Sequence, residues 1–201
     1  MICKEQGRAR GPPSEKIVPF CEKHGILEVR FSRAERRAVR MDDGILLFHG
    51  SKEEVIYPEI RITRYTKDFS WGFYCTKSYQ QAYRWADRRS ADGIVNVYRY
   101  RENPALKILR FPEMSDEWLD FIAQCRAGGS HPYDIVEGPM ADDTIWDFVN
   151  GFISGKISRS VFWEYARFKH PTHQISFHTV NALRCLTFER SEHIHDGKTE
   201  R

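Results

Sequence analysis

After some forty polar residues the chain turns abruptly apolar at Gly44-Ile-Leu-Leu-Phe48, a compact hydrophobic run that ends on His49-Gly50-Ser51. Such a run, closed by a turn, reads as a buried strand, and the folded domain begins there. Upstream, Gly7, Gly11, Pro12, Pro13 and Pro19 interrupt a polar stretch with little periodicity, which reads as a flexible leader; Ser32 to Arg40 reads as one short helix capped by Ser32. Charge divides at the same place. Residues 1–40 hold ten Lys/Arg against five Glu, hence +5, and the remainder holds 21 against 23, hence −2, giving the net +3. The run Arg30 to Arg40 suits contact with phosphates, or else a solvated helix or tail.

The 201 residues suit one domain of ordinary size, and 41% hydrophobic with 13% aromatic side chains excludes disorder throughout. The expected organisation is a basic, partly flexible extension over 1–44, one domain over 45–189 and a polar tail over 190–201. No run of about 18 apolar residues and no signal-peptide pattern occurs, so the expectation is a soluble, cytoplasmic protein with no membrane partner. Cys3, Cys21, Cys75, Cys125 and Cys185 are odd in number and contain no CxxC pair, which favours reduced thiols and excludes a zinc ribbon.

Within the domain, Ser78 caps a helix reaching about Arg89, because Tyr79, Ala82, Tyr83 and Ala86 share one face. Ile94–Tyr100 and Leu106–Phe111 read as two strands joined by a turn at Asn103-Pro104. Ser115 caps a helix carrying Trp118, Leu119 and Ile122. Tyr133–Gly138 is a strand running into Pro139, helices follow over about 143–153 and 158–168, and Gln174–Phe177 and Leu183–Phe188 are strands. Strands grouped unevenly with helices predict an α+β fold, and neither GxGxxG nor GxxxxGK[ST] occurs.

Three polar positions at strand ends carry the chemistry. His49 suits a hydrogen bond to a ribose hydroxyl, and Gly50 lets a flat ring approach the backbone; a structural histidine is the alternative. In Asp68-Phe-Ser-Trp-Gly-Phe-Tyr-Cys-Thr76, alternation turns Tyr74 away from Phe73 and Cys75, so its ring either lines a cleft, where it would stack on a planar cation such as nicotinamide, or fills the core. Gln174 opens the strand before Ile175. His170, His173 and His178 give only HxxH with an intervening Pro171, and no metal site is expected of them.

Leu47-Phe-His-Gly-Ser51, Asp68 to Thr76 with Gln81-Ala82 and Trp85-Ala86, Tyr133 to Pro139, and Gln174 to Thr179 with Ala182-Leu183 together resemble the bacterial domain of unknown function 3990 over about residues 45–189. That family is grouped with the ADP-ribosyltransferases of the diphtheria-toxin and PARP-like branch. The resemblance implies a split β-sheet with flanking helices that binds NAD as a substrate, without a metal. His49 would contact ribose hydroxyls, Gly50 the carboxamide, and Tyr74 the nicotinamide ring, with Ser51, Gly72 and Tyr83 also at the NAD site. Gln174 takes the place of the expected Glu. A carboxylate there orients the ribose 2′-OH and stabilises the oxocarbenium-like centre; an amide orients but carries no charge. Asp142, Asp143 or Asp134 could supply a carboxylate, each with a cap or turn role as its plain alternative, and Arg64 or Arg61 could hold the pyrophosphate.

The implied activity is NAD-dependent mono-ADP-ribosyl transfer or NAD hydrolysis, in a bacterial toxin or effector that modifies an intracellular protein or nucleic acid and has a possible antitoxin or immunity partner. Two rivals stand beside it: a non-catalytic module binding NAD, ADP-ribose or a protein through the same cleft, and a nucleic-acid binder working through residues 1–40.

Overall fold

A computed structural model describes residues 44–62, 67–89, 92–141, 145–167, 169 and 171–194. The leader, the helix expected over Ser32–Arg40, Arg64, Asp142, Asp143 and His170 lie outside the described residues.

Seven strands and five helices are found among the described residues: β1 (Ile45–Ser51), β2 (Phe73–Cys75), α1 (Tyr79–Arg89), β3 (Ile94–Tyr100), β4 (Ile108–Arg110), α2 (Asp116–Arg126), β5 (Ile135–Pro139), α3 (Trp146–Ile153), α4 (Arg159–Ala166), β6 (His173–Phe177), α5 (Val180–Leu183) and β7 (Leu186–His193). The fold is mixed α+β with two sheets, ordered β1-β3-β7 and β2-β6-β5-β4. Among the described residues, backbone hydrogen bonds join the sheets at one corner, where Phe48 and Thr76 exchange both at 2.9 Å.

Three clusters glue these layers. Ala82 and Ala86 of α1 pack on Val95 and Ile194 behind the first sheet. Leu47, Phe73, Tyr98, Ile135, Ile175 and Phe177 fill the space between the sheets. Trp118, Leu119 and Ile122 of α2, Val149 of α3 and Phe162 of α4 bury the other face of the second sheet against Tyr74 and Val136. Alternation along β2 and β6 sorts the side chains: Phe73, Cys75, Ile175 and Phe177 go to one core, Tyr74, Gln174 and Ser176 to the opposite face.

The caps expected at Ser78 and Ser115 form, their hydroxyls accepting from the N–H groups of Gln81 (3.3 Å) and Trp118 (3.2 Å). Ile94–Tyr100 and the strand after Asn103-Pro104 are joined by a turn, as expected, and belong to different sheets: β4 runs parallel to β5 with α2 as the crossover, because α2 needs a sheet face for Trp118 and Leu119. One expectation is corrected. At the C-terminal end, Thr179 accepts from Ala182 N–H and starts α5, so the last strand begins at Leu186 and not Leu183. It then continues through Ser191–His193, within the stretch expected to be tail, pairing with Ile94–Asn96 across an irregularity at Val97/Tyr98. An edge strand with one solvated face carries few apolar residues, which is why its polar end looks like tail.

Candidate functional site

His49 belongs to β1, opposite Asn96 of β3. Its Nδ1 donates to the Tyr74 carbonyl at 2.6 Å, which fixes that nitrogen as the protonated one, and its ring lies 4.5 Å from the Phe73 ring. Phe48 turns its N–H and C=O toward β2, so ladder alternation turns those of Gly50 the same way, past the last backbone bond that joins the two sheets. The other side of Gly50 is closed: a Cβ there would stand 2.1 Å from the Ala82 carbonyl oxygen of α1. Glycine is therefore required by helix packing, and its polar edge faces the gap between β1 and β2.

The chain after β1 is tied down by Asn96, which is fully buried. Asn96 Oδ1 accepts from Val55 N–H at 2.8 Å, and Nδ2 donates to Ser51 Oγ at 3.0 Å and to the Glu53 carbonyl at 3.2 Å. These bonds shape a cavity of about 370 Å³ lined by His49, Ser51, Phe73, Tyr74, Gly72 and Lys67, with Glu59 and Arg61 at the rim. A cavity of this size suits part of a nucleotide-sized ligand.

Tyr74 does both things the sequence allowed. Only 5% exposed, it belongs to the helical core, and its hydroxyl donates to Ser70 O (2.6 Å) and accepts from Phe69 N–H (3.1 Å). Burial, and then the nearby Asp68 carboxylate, push its ionisation well above the usual tyrosine range, so it is a neutral phenol. Its ring also borders the cavity and carries the Lys67 ammonium 4.4 Å from its centroid, a cation–π contact.

The loop 67–72 that leads into β2 is bolted from beneath. Ser70 adopts φ +69°, a left-handed conformation that costs a non-glycine residue about 1 kcal/mol or more. Holding it are His131 Nε2, which donates to Phe69 O at 3.1 Å, and His178 Nδ1, which donates to Trp71 O at 2.8 Å. His178 is pushed down to about 4, by burial first and by neighbouring His131 in addition. A Cβ on Gly72 would meet His178 Nδ1 at 2.9 Å, so that glycine too is fixed by a close approach.

Gln174 does not line the cavity with His49; it shares a sheet face with Tyr74 and reaches the same loop from below. Its Nε2 donates to Asp68 Oδ2 at 2.9 Å. Asp68, 6% exposed, also accepts from Ala141 N–H at 2.8 Å and from Arg126 Nε and Nη2 at 3.1 and 2.5 Å. Arg126 in turn stacks 4.1 Å from the Trp146 ring centroid. A carboxylate does stand beside Gln174, and it is Asp68. Asp134 is a turn carboxylate, accepting from Thr179 Oγ1 (2.7 Å) and Lys107 N–H (2.9 Å); these bonds hold its carboxyl below the usual range. Tyr83 is not brought to the cavity. It packs on the β1–β3 side with its hydroxyl 3.4 Å from the Ile194 carbonyl.

A profile of the family described as "Protein of unknown function (DUF3990)" matches residues 45–188, most of the chain. The chain belongs to the DUF3990 family. No curated protein and no solved structure matches it. In this DUF3990 domain no helix among the described residues is long and apolar enough to cross a membrane, and no group of three His, Cys, Asp or Glu side chains among them could hold a metal ion.

Asp68, Arg126, Lys67 and Asn96 were missed by sequence reasoning. Asp68 heads the stretch that leads to Tyr74, but nothing in spacing ties it to a glutamine 106 positions away.

Proposed function

We propose that this domain is an NAD-dependent mono-ADP-ribosyltransferase, with His49 and Tyr74 at the nicotinamide–ribose end of NAD and Gln174 in the position of the usual glutamate. The observation that supports this most is the meeting of His49, the polar edge of Gly50 and Tyr74 at the corner where the two sheets part, beside a cavity of about 370 Å³. Two sheets joined, among the described residues, by one isolated bridge at Phe48 and Thr76 are also compatible with the split sheet of the ADP-ribosyltransferases. Tyr74 already holds a cation on its ring, the contact that a nicotinamide would make. His49 presents an imidazole oriented by the Tyr74 carbonyl, suited to ribose hydroxyls.

Bond cleavage at the anomeric carbon needs stabilisation of positive charge, and Gln174 supplies orientation without charge. The acceptor, in a toxin or effector setting, would be an intracellular protein or nucleic acid. Purified protein given NAD is expected to release nicotinamide and to label an acceptor, and His49→Ala is expected to lower that release. His49 is a better probe than Tyr74, whose removal would also open a core cavity.

A second reading is favoured by the neutrality of Gln174: a module that binds NAD or ADP-ribose without turnover. Calorimetric NAD binding with no nicotinamide release would select it. Neither binding nor release would sink both readings.

A further inference from the structure

We infer that Lys67 is a built-in occupant of the ring site: its ammonium covers the face of Tyr74 that a nicotinamide would take, and NAD must turn it out to bind. The inference rests on the NAD reading above and adds the regulation of that same site. Both residues line the cavity of about 370 Å³ at the corner of β1 and β2. Tyr74 cannot turn to offer another face, because it is only 5% exposed and its hydroxyl is fixed between Ser70 O (2.6 Å) and Phe69 N–H (3.1 Å). The Lys67 ammonium stands 4.4 Å from the ring centroid. A stacked ring would lie about 3.5 to 4 Å above the same atoms, so the two exclude each other. They also compete for one attraction, since the face of a tyrosine ring draws an ammonium and a cationic nicotinamide alike.

Only the side chain of Lys67 has to move. Its carbonyl accepts from Ser70 N–H at 3.0 Å, and the next residue, Asp68, is gripped by Arg126 and by Ala141 N–H, so the backbone is pinned on both sides of the contact. Lys67 is exposed, and Glu53 and Glu59 line the same cavity, so a displaced ammonium stays among carboxylates. The contact thereby sets a threshold. A ligand with a ring at that end gains from Tyr74 only what exceeds the loss of the lysine contact. ADP-ribose, which has no such ring, leaves Lys67 where it is.

The test is calorimetry with NAD and with ADP-ribose on the wild type, Lys67→Ala and Lys67→Arg, with thermal unfolding to show that each is folded. Lys67→Ala is expected to bind NAD about two- to fivefold tighter than wild type, the size of one exposed cation–π contact. Its affinity for ADP-ribose is expected to stay unchanged. Lys67→Arg keeps a cation that stacks on the ring and is expected to bind NAD no tighter than wild type. Binding of NAD by Lys67→Ala where the wild type shows none supports the inference in its strongest form. Wild type and Lys67→Ala that both bind no NAD overturn the NAD reading and this inference with it. NAD bound no tighter by Lys67→Ala than by wild type overturns the role of Lys67 alone. So does an affinity for ADP-ribose that shifts together with that for NAD, because a lysine that holds phosphates or shapes the loop acts on both ligands.

Discussion

Replacing Gln174 by glutamate would install the residue type that the proposed function expects there, yet its contact with Asp68 implies that the change damages the protein. Gln174 Nε2 lies 2.9 Å from Asp68 Oδ2, with both side chains buried, and the substitution puts a carboxylate oxygen in its place. At that distance two full charges repel by about 6 kcal/mol for an effective dielectric of about 20. The chain escapes most cheaply by protonating the new carboxyl at position 174, whose O–H then donates to Asp68 as the amide did. That escape costs about 1.4 kcal/mol per pH unit above the ordinary glutamate value of about 4.3, hence about 1 kcal/mol at pH 5 and about 5 at pH 8. The sign follows from linkage: the folded-state proton is held more tightly than the unfolded one, so stability is whole at low pH and is lost as pH rises. With about 2 to 4 °C of melting temperature per kcal/mol for a chain of this size, the deficit against wild type should grow from a few degrees at pH 5 to about 10 to 20 °C at pH 8. Circular dichroism melts of both proteins at both pH values measure it. A deficit that does not change with pH, or none at pH 8, would refute the contact between Gln174 and Asp68 as the cause.

Two further outcomes follow from the packing. Gly50→Ala places a methyl 2.1 Å from the Ala82 carbonyl oxygen of α1 and should cost about 2 to 3 kcal/mol or more in urea unfolding, whereas a loss under about 0.5 kcal/mol would show that the helix is free to shift. His178, held near 4 by burial beside His131, should make the wild type lose up to about 3 kcal/mol as pH falls from 6.5 toward 4, since the unfolded chain takes up the proton first; His178→Gln should flatten that slope, and an equal slope in the variant would assign it elsewhere.

The apolar run at residues 45–48, the Ser78 and Ser115 caps and the Tyr74 alternation are local, so the strand, the helices and the sorting of side chains across β2 were readable from the chain alone. The separation of β3 from β4 was not, because turn chemistry at Asn103-Pro104 says that strands are joined and does not say that they pair. Likewise, His49, Ser51, Gly72 and Tyr74 were singled out as neighbours and do share a cavity, because each follows a short apolar segment. Gln174 was grouped with them on type, and what it touches was out of reach: Asp68, Arg126 and Ala141 come from a loop, a helix end and a strand end brought together only by the packing of α2 on the second sheet. Tyr83, on the helix face with Ala82 and Ala86, is used by α1 for its own seat on the first sheet.

Whether the corner between β1 and β2 takes the nicotinamide end of NAD, as proposed, is decided by a crystal structure of the protein with NAD. The nicotinamide ring is expected on the face of Tyr74 now covered by Lys67, its carboxamide on the backbone of Gly50, and a ribose hydroxyl at His49. NAD bound at another place on the domain, with Lys67 still on Tyr74, would contradict it.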